Sequence, residues 1–134
     1  MYTVKQLSEI CKLVGHADPL CTVHHATRPD YDTPLWYCCL FFVDEYDDHV
    51  FLEALPDNHN VRIPKPLDLY ELLNKLPEES QKLPVTTDDW DPTASNISNV
   101  YYSPSKHQLS LITVEPLTWK TYLKENPDCI LLKV

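Results

Sequence analysis

Cys11, His16, Cys21, His24 and His25 place thiol and imidazole groups close together near the start of the chain. These are the ligand types that zinc takes. Their spacing suits a metal poorly. No Cys-x-x-Cys pair anchors the set, and only Cys21 and His24 stand near enough in sequence to chelate locally. A buried cysteine commonly packs as a small hydrophobe. The set is therefore read as core and hydrogen-bonding positions, and neither a metal nor a cofactor is expected. A small metal-binding protein or enzyme centred on His16, Cys21, His24 and His25 is the alternative.

Thiol catalysis needs a cysteine whose pKa is lowered by a base, a cation or a helix N-terminus. Cys38 and Cys39 lie instead in the most apolar run of the chain, where burial raises a thiol pKa. Cys21 and His24 fall on opposite faces of a regular strand. No catalytic residue is assigned, and the expectation is a protein that is not an enzyme.

Two acidic clusters each enclose an aromatic ring. Tyr46 stands among Asp44, Glu45, Asp47 and Asp48, and Trp90 among Asp88, Asp89 and Asp91. The first cluster lacks the spaced ligands and the glycine of a calcium loop. Crowded carboxylates around a ring suit recognition better: the charges steer a cationic partner, and the ring supplies the apolar anchor. These nine residues are the candidate partner-binding positions.

The wider charge pattern supports that reading. Residues 30–91 hold fifteen Asp or Glu and four Lys or Arg, a net −11, while the flanking segments each carry +1. The whole chain is at −9. Neither near-neutral end offers a dense basic patch, so direct nucleic-acid binding is not expected. Rows of carboxylates could instead occupy a site built for phosphates, as a nucleic-acid mimic does. The expected function is a non-enzymatic acidic binding protein, an inhibitor or regulator that docks a basic surface on a partner protein, such as one that binds nucleic acid. Phage-encoded defence inhibitors and immunity proteins are analogies of size and charge only.

A chain of 134 residues with 43% hydrophobic residues suits one domain with one core. One glycine and twelve prolines exclude glycine-rich phosphate cradles and shift the turns to Pro, Asp, Asn and Ser. The five cysteines, the absence of a basic-then-apolar leader and the lack of a membrane-length apolar run point to a reduced, cytoplasmic protein with no membrane partner.

The elements follow from periodicity. Thr3 and Gln6 form a capping box for a helix over 4–14, with Gly15 placed to end it in the left-handed conformation. Residues 20–25 read as a short strand. The run 35–43 reads as one strand buried on both faces, paired through an acidic loop at 44–48 with a strand at 49–55. Pro66 opens a helix that stops before Pro77, and 77–95 reads as a long loop. Strands at 97–102 and 108–114 flank a turn at 103–106. A last helix opens at Pro116, and a strand closes the chain from 129. Hairpins outnumber alternating elements, so the expectation is a single α+β domain over 1–134. It would hold three helices and a mostly antiparallel sheet of about five or six strands.

Overall fold

The computed structural model describes residues 2–26, 36–37, 41–54, 64–87, 96–112 and 119–133. The first helix, α1 (Val4–Ala17), begins as its sequence requires. The Thr3 hydroxyl accepts the Gln6 N–H at 3.2 Å, and the Gln6 side chain accepts the Thr3 N–H at 3.0 Å. Its apolar stripe of Val4, Leu7, Ile10, Cys11 and Val14 is buried. The helix does not stop at Gly15. It runs on to Ala17 and is closed by the Asp18 N–H donating to the Val14 carbonyl at 2.8 Å.

Gly15 has a different task. A methyl group built on it would meet the Leu67 side chain at 2.5 Å and the Leu67 backbone nitrogen at 3.3 Å. The missing side chain is what lets α2 (Pro66–Asn74) cross α1 closely. Pro66 sits in the first turn of α2, and the Asp68 carboxylate accepts the Lys65 N–H at 2.9 Å.

Eight strands among the described residues form two sheets, so the fold is α+β. The first sheet has the order β2-β1-β7-β6-β8, built from β1 (Thr22–Ala26), β2 (Trp36–Tyr37), β6 (Asn99–Ser103), β7 (Gln108–Ile112) and β8 (Ile130–Leu131). The second is β3 (Phe41–Glu45), β4 (Val50–Ala54) and β5 (Val85–Thr87), in that order. Four of the strand pairings are antiparallel; β1–β7 and β4–β5 are parallel. The strands thus exceed the expected five or six and divide between two sheets.

The described residues of the apolar run at 35–43 fall in two strands. Its start, as β2, pairs with β1, and its end, as β3, pairs with β4. One hydrophobic stretch serves two sheets. Of the segment 77–95, expected as loop, residues 88–95 lie outside the described residues, and the rest is not plain loop. Residues Glu78–Lys82 form a 3₁₀ turn, and β5 follows, held by the Val85 N–H to the Tyr2 carbonyl at 3.1 Å and by its pairing with β4. Three residues are too few for a periodic signal; the neighbouring strand supplies the structure. A short third helix, α3 (Trp119–Glu125), precedes β8. Arg28, Cys38, Cys39 and Pro116 lie outside the described residues.

A single apolar cluster draws on α1, α2 and both sheets. Val23, Val100, Leu109 and Leu111 come from the first sheet, Val50, Leu52 and Val85 from the second, and Leu69 and Leu73 from α2. Among the described residues, no helix is long and apolar enough to cross a membrane.

Candidate functional site

The β3–β4 hairpin carries the first acidic cluster. Its strands pair from Phe41 opposite Ala54 to Glu45 opposite Val50. Asp44 and Glu45 are therefore the last residues of β3 rather than loop residues. β3 lies at a sheet edge, where charged residues are common because they deter pairing with a further strand. The connection is residues 46–49, closed by the Tyr46 N–H donating to the His49 carbonyl at 2.9 Å. Val50, the first residue after the connection, and Leu52 are fully buried, and the Val50 N–H donates to the Pro84 carbonyl at 2.9 Å. The connection is thus anchored where it enters β4.

At that tip, Tyr46 is 53% exposed. Its ring stacks on His49 with centroids 4.7 Å apart and planes inclined by 11°. The imidazole is held in turn by Asp48, whose Oδ1 lies 2.7 Å from His49 Nδ1. This hydrogen bond keeps the Asp48 carboxyl below the usual carboxylate range. Asp47 and Asp48 are both exposed, and no lysine or arginine neutralises either among the described residues. An aromatic ring is thus held at the surface beside two exposed carboxylates, one of them bound to the imidazole on which the ring stacks. A ring already held in position loses less rotamer freedom on binding.

The second cluster, Asp88, Asp89, Trp90 and Asp91, lies outside the described residues. β5, which leads into it, runs parallel to β4 with Thr87 opposite Leu52. The chain therefore leaves β5 heading away from the end of the sheet that carries Tyr46.

The histidines and cysteines near the start are distributed rather than gathered. His16 is exposed in the last turn of α1. Cys11 and Cys21 are fully buried free thiols. His24, on β1, is 1% exposed, and its Nε2 shares a 2.7 Å hydrogen bond with the Thr22 hydroxyl. The His25 backbone lies in β1, and its side chain is outside the described residues. Among the described residues, no group of three or more His, Cys, Asp or Glu side chains is arranged to hold a metal ion.

The structure also assembles a polar cluster that no local pattern announces. Asp18, just past α1, is buried and accepts hydrogen bonds from the Tyr102 hydroxyl at 2.8 Å, His107 Nδ1 at 2.8 Å and the Leu20 N–H at 3.1 Å. His107 reaches it because it closes the β6–β7 turn with φ of 53°, in the left-handed region. Burial pushes the Asp18 carboxyl up, but the hydrogen bonds from His107, Tyr102 and Leu20 outweigh it and hold the group below its ordinary value. Burial and then the Asp18 charge push the Tyr102 hydroxyl up to about 12.

An aspartate that fixes a histidine through Nδ1 is half of a general-base pair. The neighbouring thiol does not complete it. Burial and the Asp18 charge push Cys21 up to about 12, so it stays protonated at neutral pH. The cluster instead ties the β6–β7 turn to the end of α1. Asp18→Ala leaves the Tyr102 hydroxyl, the imidazole and the Leu20 N–H without their shared acceptor. The expected loss is about 2 kcal/mol, read as a lower urea midpoint at unchanged slope. A midpoint shift worth under ~0.5 kcal/mol would show that water replaces the carboxylate at no cost.

No protein-family model, no curated protein and no solved structure matches the chain.

Proposed function

We propose that the protein is a non-enzymatic binder that uses the acidic β3–β4 tip to dock a basic surface on a partner protein and so block or regulate it. The observation that carries this reading is the exposed Tyr46 ring, stacked on His49 and followed in the chain by the exposed carboxylates of Asp47 and Asp48. Exposed negative charge accelerates encounter with a cationic surface, and the ring slows dissociation once docked. Asp44 and Glu45, at the end of β3, extend the same acidic stretch. A partner whose basic surface ordinarily holds nucleic-acid phosphates fits this chemistry, because carboxylates present comparable negative charge and acceptor oxygens.

The test uses the partner retained by the intact protein from its native host, with kinetics measured at low and high salt. Changing Asp44, Glu45, Asp47 and Asp48 together to their amides is expected to slow association about tenfold or more at low salt. Tyr46→Ala is expected to act mainly by faster dissociation, with a loss of about 2 kcal/mol in affinity. Association that is insensitive both to salt and to the four amide changes would end this reading.

A further inference from the structure

α1, α2 and the 3₁₀ turn enclose a groove of about 550 Å³. Small-molecule sites span roughly 300–1,000 Å³, so the groove suits one compact ligand. Its charge runs against that of the chain. Twenty acidic residues face eleven basic ones over the whole sequence, yet Lys5, Lys12 and Lys82 all line this groove. Lys5 and Lys12 are seven apart on α1 and share one face of it. Lys82 approaches from the 3₁₀ turn, whose end lies against the start of α1 through the Val4 N–H donating to the Leu83 carbonyl at 2.9 Å. None of the three ammonium groups forms an ion pair among the described residues.

Tyr70 of α2 adds an aromatic wall, with Lys12 Nζ 5.8 Å from its ring centroid. Glu9 and Glu78 complete the pattern of charge. These carboxylates bear on the identity of the ligand. An acidic peptide would meet them with its own carboxylates and be repelled. A ligand that carries an anionic group at one point and hydrogen-bond donors at another uses both signs. Sugar hydroxyls and exocyclic amino groups are such donors, and a planar base suits the face of a tyrosine ring.

We propose that this groove binds a mononucleotide. Lys5, Lys12 and Lys82 hold the phosphate, Tyr70 packs against the base, and Glu9 and Glu78 accept hydrogen bonds from the sugar or the base. The site is independent of the Tyr46 tip and stands or falls separately from it.

The probe is adenosine monophosphate, titrated into the intact chain up to about 10 mM and followed by backbone amide NMR. Saturable shifts confined to α1, α2 and the 3₁₀ turn are expected, with the amides of Tyr46 and His49 unmoved. Lys5 and Lys82 are both exposed, so Lys5→Gln combined with Lys82→Gln removes two charges without disturbing the core. It is expected to weaken binding about tenfold or more while the rest of the spectrum stays in place. Adenosine and inorganic phosphate, each lacking part of the recognised pattern, are expected to bind more weakly than the nucleotide. Four results would overturn the proposal: no saturable shift, shifts mapping elsewhere, equal binding of inorganic phosphate, or unchanged affinity in the double variant. Tighter binding of a tetraglutamate peptide than of the nucleotide would also overturn it, in favour of an acidic-peptide groove.

Discussion

Acidifying the protein from about pH 7 to about pH 4.5 is expected to remove about 2.4 kcal/mol of folding stability through one side chain, His24. Burial lowers its pKa from the ordinary 6.5 to about 4. In the folded chain the imidazole is 1% exposed and stays neutral over this range. In the unfolded chain it takes up a proton below pH 6.5. The unfolded state therefore binds more protons between these two values, and stability falls as pH falls. The contribution is fully present above the unfolded value, and its loss is complete once the pH drops below the folded one.

The carboxylates that the fold holds below their ordinary range, Asp18, Asp48 and Asp128, act in the same direction but at lower pH. The two windows can thus be separated. Urea unfolding at half-unit pH steps checks the assignment. His24→Gln keeps a polar group within reach of Thr22 and removes the titration. Its stability is expected to change by about 1.4 kcal/mol less per pH unit than that of the parent between those limits. Parallel slopes for parent and variant would show that the acid sensitivity lies elsewhere.

Gly15→Ala should destabilise the fold although it improves the helix. In an isolated helix the change is worth about 1 kcal/mol in favour of alanine. Here the added methyl group would stand 2.5 Å from Leu67 Cγ and 2.8 Å from Leu67 Cδ2, with the Leu67 backbone nitrogen at 3.3 Å. The backbone contact means that a change of rotamer alone does not relieve the crowding, and α1 and α2 must move apart. Overpacking of this kind costs about 1–3 kcal/mol or somewhat more. A net loss of about 2 kcal/mol is expected. A double-mutant cycle isolates the cause. Leu67→Ala deletes the two closest atoms, so Gly15→Ala in that background is expected to cost at least ~1 kcal/mol less. Equal costs in both backgrounds would mean that the crossing of α1 and α2 is not what Gly15 serves.

The contrast between Gly15 and Thr3 shows what was legible in the sequence. Thr3 and Gln6 act on the first turn of their own helix, and the capping box they spell is the one that forms. Gly15 answers to Leu67, fifty-two positions away, and a lone glycine near a helix end reads locally as a stop. The β3–β4 hairpin was legible because both strands and their connection are contiguous. β5 was not, since its place depends on Val50, Leu52 and Tyr2 rather than on a pattern of its own.

The same division runs through the candidate sites. Tyr46, Asp47 and Asp48 stand together in sequence and emerge together at the tip. The cluster of Asp18, Tyr102 and His107 spans up to eighty-nine positions, and its one local trace is the polar turn that places His107. In the groove, Lys5 and Lys12 lie on one face of the helix that the sequence announced, but no pattern marked them as a pair. Nothing in the sequence pointed to Lys82 and Tyr70 joining it.

The parallel pairing of β1 with β7 has a consequence for the birth of the protein. Val23 lies beside Leu109, eighty-six positions later, and β7 stands between β1 and β6 at the centre of its sheet. On the ribosome, β1 and β2 emerge early and wait with an open edge until residue 112 has been made. Closing so long a loop is entropically costly, and non-local pairing of this kind folds slowly. An unpaired β1 edge is a template for pairing with other chains, so β1 and β2 need shielding until β7 has been made.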